Sequence, residues 1–439
     1  MTANPTAADR AASDPAAPDP ARRKTVRAAI AWSFYDWANS PFTAVVTTFV
    51  FATYFTESVA ADKTAGSAQW GFMQGAAAAL IAVLSPVLGA IADHGGRRKP
   101  WLLMCTLGMA LGSALLWFVQ PQAADALLLL LAVGFAIVAF EIGTVFYNAM
   151  LPGLVPANWI GRISGWAWGL GYFGGLACLL IVLFVFIQVD TPPFGLDKKT
   201  AEHVRIGGPI VAVWTLLFSI PIFLYVPDRP ATGIGLARAA KDGLLGLWRT
   251  FKELRKYREI ARFLLAKMIY IDGINTLFIF GGVFAAVAFG MTVAEVALFG
   301  VVLNVTAGLG AVAFGWIDAR IGARNAVLVA IVGITLLSIG LLLSDSKLWF
   351  WILGSAVGIF FGPAQAASRT MMALMAPKNM ETEMFGLFAF AGKATAFLGP
   401  WLVGIVTAAT DSLRWGMAVV VPMMIVGGIL LCTVKTPRP

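Results

Sequence analysis

The sequence predicts an all-α polytopic membrane protein: 12 transmembrane helices in two pseudo-symmetric six-helix halves. Three observations lead there: the apolar content, its division into long unbroken segments, and the placement of positive charge. Of 439 residues, 59% are hydrophobic and 13% are charged, whereas a soluble domain carries about 25% charged residues. That content amounts to roughly 260 apolar residues, and twelve spans of about 20 residues need roughly 240. A soluble enzyme, a nucleic-acid binder and a disulfide-stapled secreted domain are poor fits.

The segments lie near 28–55, 68–92, 101–119, 126–151, 163–189, 209–226, 263–289, 292–317, 326–344, 348–375, 384–410 and 415–434. Lipid gives the backbone no hydrogen-bond partner, so each must be helical. Barrel strands would alternate over about ten residues, which these segments do not do. Only six of the 32 Lys and Arg fall in loops after odd-numbered spans: Lys63, Lys198, Lys199, Arg205, Lys347 and Arg414. Lys and Arg collect in cytoplasmic loops. Both termini are therefore expected in the cytoplasm, and the same rule accounts for the net charge of +9.

Residues 1–24 are rich in Ala, Pro and Asp without an apolar h-region, which reads as a disordered cytoplasmic tail. A six-helix bundle is expected over 25–226, a cytoplasmic linker over 227–262, a second bundle over 263–434 and a short tail over 435–439. Within the linker, Leu244, Leu247, Trp248, Phe251 and Leu254 follow helical spacing opposite Arg249, Lys252 and Lys256. This is the pattern of an amphipathic helix on the inner leaflet or cytoplasmic face. Cys105, Cys178 and Cys432 sit in apolar runs and read as buried thiols. No metal or cofactor is expected.

The halves echo each other. Span 1 carries Asp36-Trp37-Ala38-Asn39, and span 7 carries Asp272-Gly273-Ile274-Asn275. Span 2 ends in Asp93-His94-Gly95-Gly96-Arg97, and span 8 ends in a run from Asp318 to Arg324. Asn148 in span 4 and Arg369 in span 10 each precede a proline by eight residues. Internal repetition of this kind is common in secondary transporters.

Ionisable residues inside spans are costly and mark function by default. Six lie well inside: Asp36, Glu141, Lys267, Asp272, Arg369 and Lys393. Asp36, Asn39, Thr43 and Thr47 share one face of span 1. Glu141, Thr144 and Asn148 share one of span 4, Asp272, Asn275 and Thr276 one of span 7, and Gln365 and Arg369 one of span 10. Polar faces on these four spans predict a water-filled cavity between the halves. Lys267, near the start of its span, is expected to snorkel to the interface. Structural pairing of the charges is the competing explanation. Glycines at 161, 165 and 169, and at 386, 392, 399 and 404, provide small faces along which helices approach closely.

The run Gly89-Ala90-Ile91-Ala92-Asp93-His94-Gly95-Gly96-Arg97-Arg98-Lys99 resembles the G-x-x-x-D-x-x-G-R-R-K signature of the major facilitator superfamily. The resemblance implies the major facilitator fold and a cytoplasmic latch between the halves at Asp93, Arg97 and Arg98; the repeat in span 8 adds Asp318 and Arg324 as candidate gating residues. Asp93 is suited to accept from a helix N-terminus or an Arg. Span 5 departs from the antiporter signature of that superfamily, with Leu170-Gly171 where Gly-Pro would stand.

Phe34-Tyr35-Asp36-Trp37-Ala38-Asn39-Ser40, Tyr147-Asn148-Ala149-Met150-Leu151-Pro152, Gly161-Arg162-Ile163-Ser164-Gly165 and Ala391-Gly392-Lys393-Ala394-Thr395 resemble motifs of the autophagy-related vacuolar amino-acid effluxer family. That resemblance implies a transporter and carries roles onto Asp36, Asn39, Tyr147, Asn148 and Lys393. The function expected is secondary active transport of a small polar or zwitterionic solute, an amino acid above others, by alternating access with proton coupling. Candidate substrate and proton residues are Asp36, Asn39, Glu141, Tyr147, Asn148, Asp272, Asn275, Gln365, Arg369 and Lys393. The alternatives are export of amphipathic compounds or lipids, and a non-transporting receptor or assembly factor on a transporter scaffold. The expected setting is the cytoplasmic membrane, as a monomer that needs protons, solute and lipid but no nucleic acid.

Overall fold

In lipid a chain must close its own backbone hydrogen bonds, and the computed structural model, which describes residues 20–253 and 255–436, does so almost entirely with helices. Twelve helices among the described residues are long and apolar enough to cross a membrane. They are span 1, Arg22–Val59; span 2, Lys63–Gly95; span 3, Lys99–Phe118; span 4, Ala123–Gly153; span 5, Ala157–Ile187; and span 6, Glu202–Tyr225. The second half comprises span 7, Arg258–Phe289; span 8, Ala294–Ile321; span 9, Ala323–Leu343; span 10, Lys347–Met375; span 11, Glu381–Thr410; and span 12, Leu413–Cys432. No strand occurs among the described residues.

Stripes of exposed apolar side chains run along the outward helix faces. Leu103, Leu107 and Leu111 form one on span 3, and Val213, Leu217, Ile220 and Leu224 another on span 6. In water such faces would demand a partner; in a bilayer they face acyl chains.

Two spans are irregular. After Pro41, span 1 winds as a π-helix over Phe42–Phe49 and again over Phe55–Val59. Proline supplies no backbone donor, and π segments concentrate at functional sites. Span 11 breaks into Glu381–Lys393 and Leu398–Thr410, joined by a turn at 394–397.

The halves meet along two seams with backbones close together. At the first, spans 2 and 11 pack through Gly89 against the Thr382 carbonyl and Gly386 against the Ser85 carbonyl. At the second, spans 5 and 8 pack through Gly165 against the Ala311 carbonyl and Gly169 against Val312. A methyl group at any of these glycines would collide with its neighbour, so their small size sets the approach.

Several expectations are corrected. The first helix starts at Pro20, so residues 20–24 are helical rather than part of a disordered tail; 1–19 lie outside the described residues. The Cys432 thiol is exposed on the outer surface of span 12, unlike buried Cys105 and Cys178. Lys267 does not snorkel: it is 4% exposed and donates to the Phe388 carbonyl at 2.8 Å. The linker helix runs Leu236–Lys252 and turns Ala239, Gly243, Leu247 and Thr250 inward, leaving Leu244 and Trp248 exposed. Leu247 therefore faces protein rather than sharing the outer apolar stripe. Leu254 and the side chain of Phe251 lie outside the described residues.

Candidate functional site

Two ion pairs join the halves within the membrane layer. Span 1 places Asp36 opposite Arg369 of span 10, Oδ2 to Nη1, at 2.9 Å. Span 4 places Glu141 opposite Lys393 of span 11 at 2.6 Å. In both pairs the first half supplies the carboxylate and the second half the cation. The Asp36–Arg369 pair is more enclosed, with side chains 14% and 4% exposed, against 24% and 28% for Glu141 and Lys393.

Arg369 is held on every side. Its Nε donates to the Ser164 hydroxyl at 2.9 Å and its Nη2 to the Ser164 carbonyl at 2.7 Å. Its Nη1 also points to Asn148 Oδ1 at 3.4 Å. The guanidinium lies 4.9 Å from the Trp32 ring centre, 5.6 Å from Trp168 and 5.7 Å from Tyr147. A delocalised, weakly hydrated cation suits such an aromatic cage. Trp32 stacks on Tyr147 with ring centres 4.3 Å apart and donates its indole N–H to the Tyr147 carbonyl. The Tyr147 hydroxyl and Trp168 Nε1 are buried without a hydrogen-bond partner among the described residues. Unpaired buried polar atoms are rare in a finished core, and these two belong to rings that surround the cation.

A cavity of about 140 Å³ opens beside the cage between the halves. Ser40, Thr43, Thr48, Trp168, Tyr172 and Asn304 contribute to its wall. It is therefore polar and hydroxyl-lined next to the Arg369 cage. A second cavity, about 210 Å³ and bounded by Phe278, Phe299 and Phe350, is largely apolar.

The remaining candidates separate. Asn39 is buried, and its Oδ1 accepts from Ser40 at 3.5 Å. Asn275 and Gln365 are half-buried with no hydrogen-bond partner among the described residues. Asp272 takes no part in either ion pair. It is 1% exposed, and its Oδ2 accepts from the Gly399 backbone N–H at 3.0 Å. It thereby caps the outer segment of broken span 11, where an unsatisfied helix donor needs an acceptor. The repeated Asp-x-x-Asn thus serves different purposes in the two halves.

The face carrying both described ends is closed by a network centred on Asp93. Asp93 Oδ1 accepts from Arg98 Nη2 at 3.0 Å and from the Thr382 hydroxyl at 2.7 Å, while Oδ2 accepts from the Glu383 backbone N–H at 2.8 Å. Asp93 of the first half thus caps the N-terminus of span 11 in the second, where the helix dipole favours an anion. Arg98 also reaches Glu381 at 3.1 Å, the Thr382 hydroxyl at 2.8 Å and the Ala149 carbonyl at 2.6 Å. Arg229 grips both Glu381 oxygens at 2.7 Å. Gly96, at φ +89°, turns the chain beneath these contacts at a place where a Cβ would collide with the Pro230 carbonyl. The linker helix joins the network through the Thr250 hydroxyl, which donates to Glu383 at 2.5 Å.

Of the other gating candidates, Arg97 is exposed and outside this network. Asp318 is buried against Gly161 of span 5, and Arg324 donates to the Val434 carbonyl instead of pairing with Asp318. The pairs at the opposite face, Lys63–Glu57, Arg205–Glu202, Lys347–Glu295 and Arg414–Asp345, each stay within one half. Among the described residues, ion pairs thus latch the halves together at one face and not at the other.

A twelve-span duplicated bundle, with an inter-half latch and charges meeting at a central cavity, defines a membrane transporter of the major facilitator class rather than an enzyme. Solved structures agree. The proton:xylose symporter XylE superposes with a TM-score of 0.73 at 13% identity, covering 94% of this chain and 97% of that one. The transporter FucP in its outward conformation gives 0.73 at 15% identity, over 94% and 99%. The chain belongs to the family described as "Vacuole effluxer Atg22 like", which matches residues 70–439. The MFS-type transporter YxiO of Bacillus subtilis (strain 168) is 28% identical over 415 residues, 92% of this chain and 94% of that protein. Autophagy-related protein 22 of Kluyveromyces lactis is 26% identical over 276 residues, 58% of this chain. The match spans about half, 54%, of the fungal protein's length.

Sequence reasoning missed Trp32, Ser164 and Trp168, which enclose Arg369. Nothing in their spacing distinguishes them from residues that merely pack helices. Thr382 and Glu383, which Asp93 engages, lie almost 300 positions away and carried no local signal.

Proposed function

We propose that the protein carries a small zwitterion, an amino acid in the first instance, through the cytoplasmic membrane by proton-coupled alternating access, with both chain ends in the cytosol. The observation that carries this reading is the pair of carboxylate–cation contacts joining the halves, Asp36–Arg369 and Glu141–Lys393. A zwitterion offers the same two charges as each contact. Its carboxylate competes with Asp36 or Glu141 for the cation, and its ammonium competes with Arg369 or Lys393 for the carboxylate. Entry of solute therefore replaces inter-half bonds with solute-mediated ones. A proton on Glu141 or Asp36 weakens the same contact, which couples proton binding to release of the halves. The unpaired Tyr147 hydroxyl and Trp168 indole N–H supply donors for the solute carboxylate. The family's description as a vacuole effluxer supports movement of a solute across a membrane as the activity. The mainly apolar cavity by Phe278 and Phe299 favours a second reading, in which the solute is amphipathic.

Thermal stabilisation of the purified protein tests the solute class. A ligand that binds the native state at about 100 times its Kd adds about 2.7 kcal/mol. Amino acids should raise Tm, while the amine lacking the carboxylate and the acid lacking the amine should not. Equal shifts from these single-charge analogues, or shifts from amphipathic compounds alone, would overturn the zwitterion assignment.

A further inference from the structure

On the lateral surface, where span 1 crosses span 6, a groove of about 520 Å³ opens toward the lipid. Its walls are apolar, with Ile30, Phe34 and Pro221 contributing. Its rim, at the face that carries the chain ends, holds Arg22, Arg23 and Arg27. The Arg27 guanidinium carbon lies over the Tyr225 ring, 3.6 Å from its centre, which anchors one guanidinium at the mouth of the groove. No acidic side chain pairs with any of the three arginines among the described residues. Some basic residues on this face do find acidic partners, as Arg98 and Arg229 do with Asp93 and Glu381, whereas the exposed Arg97, like these three, has none among the described residues.

Along a helix, Arg22 and Phe34 are separated by roughly 18 Å at 1.5 Å per residue. That is more than half of a hydrocarbon core about 30 Å thick. The groove therefore presents charge at headgroup depth and an apolar trough running from it into the acyl region. We propose that this groove is a binding site for one anionic phospholipid, with its phosphate among Arg22, Arg23 and Arg27 and an acyl chain along Ile30, Phe34 and Pro221. Basic pockets between helix ends are a recognised mode of anionic headgroup binding. Topology alone calls for positive charge at this face, but not for an apolar trough leading from the charges. Span 1 also carries Asp36, so the occupied groove would brace the helix that bears one inter-half contact.

The test uses the full chain in nanodiscs of mixed phosphatidylglycerol and phosphatidylcholine, released and counted by native mass spectrometry. Wild type should retain phosphatidylglycerol in preference to phosphatidylcholine. Each basic residue near an anionic surface contributes a severalfold factor, so Arg22→Gln/Arg23→Gln/Arg27→Gln should lower that retention about tenfold or more. Ile30→Trp, which keeps all three charges and fills the trough, should also lose it. The exposed linker-helix variant Lys241→Gln/Arg249→Gln/Lys252→Gln should retain it. Equal retention of both lipids, no loss in the arginine or Ile30 variants, or equal loss in the linker variant would overturn the site. Competition by excess glycerol phosphate would make it a free-phosphate site instead. Circular dichroism of each variant separates loss of lipid from loss of fold.

Discussion

Arg369 reaches across from the second half to Asp36 at 2.9 Å, and the same guanidinium takes both the hydroxyl and the carbonyl of Ser164. The fork binds spans 1, 5 and 10 at one point. A lysine ammonium is a point charge and cannot reproduce this planar arrangement. Arg369→Lys should therefore lower transport about tenfold or more while the protein still folds, whereas Arg369→Ala leaves an enclosed carboxylate unpaired and should cost about 3 kcal/mol of stability. Solute uptake and thermal unfolding of the two variants check both statements. Full activity in Arg369→Lys would show that charge alone suffices.

Asp93 joins the halves by capping span 11, and breaking that cap should release the latched face. Losing one charge-assisted hydrogen bond costs about 1.5–3 kcal/mol, a shift of roughly 10- to 150-fold in a two-state equilibrium. Asp93→Ala should make cysteines placed on the latched face, at positions 89 and 386 excepted, more reactive to a membrane-impermeant thiol reagent. Reactivity at the opposite face should fall. Unchanged labelling at both faces would remove Asp93 from the closure.

Asp272 accepts one backbone hydrogen bond at the start of the outer part of span 11. Asparagine keeps an acceptor in that place. Asp272→Asn should therefore retain transport within about threefold, and Asp272→Ala should lose about 1 kcal/mol of stability, the usual worth of a cap. Loss of pH-driven uptake in Asp272→Asn would instead give this carboxylate a part in proton movement.

Span 5 passes span 8 at Gly165, where any side chain would meet the Ala311 carbonyl. Gly165→Val should block the close approach seen here and favour the conformation in which these spans separate. Double electron–electron resonance between labels on the two halves reads this as a longer distance at the latched face. An unchanged distance distribution would mean that the seam repacks around the new side chain.

How much of this was legible in the sequence depends on range. The spans follow from continuous apolar runs because lipid imposes one solution on each segment. Asp93 was legible as a candidate cap or Arg partner because the glycine turn and basic run next to it are local. The structure gives it both kinds of partner. Polar faces picked out Asp36, Asn148 and Arg369 on separate spans, but pairing them required the packing of the halves. The break in span 11 left a partial signal in Gly392 and Gly399-Pro400, since Pro400 cannot donate to the carbonyl four residues before it, but an apolar run continuous through Phe397 and Leu398 read as one helix. Its acceptor, Asp272, looked equivalent to Asp36 because a repeated motif records ancestry rather than present contacts. Trp168 carried no signal, and Ser164 stood in a quoted motif without a role, since an aromatic or a serine within a helix is ordinary until a guanidinium lies against it.

Uptake into proteoliposomes tests the central claim most directly, namely that solute and proton act through the charged contacts between the halves. Labelled amino acids would be followed with and without an imposed pH gradient, for wild type, Asp36→Asn and Glu141→Gln. Saturable uptake that the gradient accelerates in wild type, and that loses its gradient dependence in at least one variant, is the predicted result. Gradient-driven uptake of equal rate in all three proteins would contradict it.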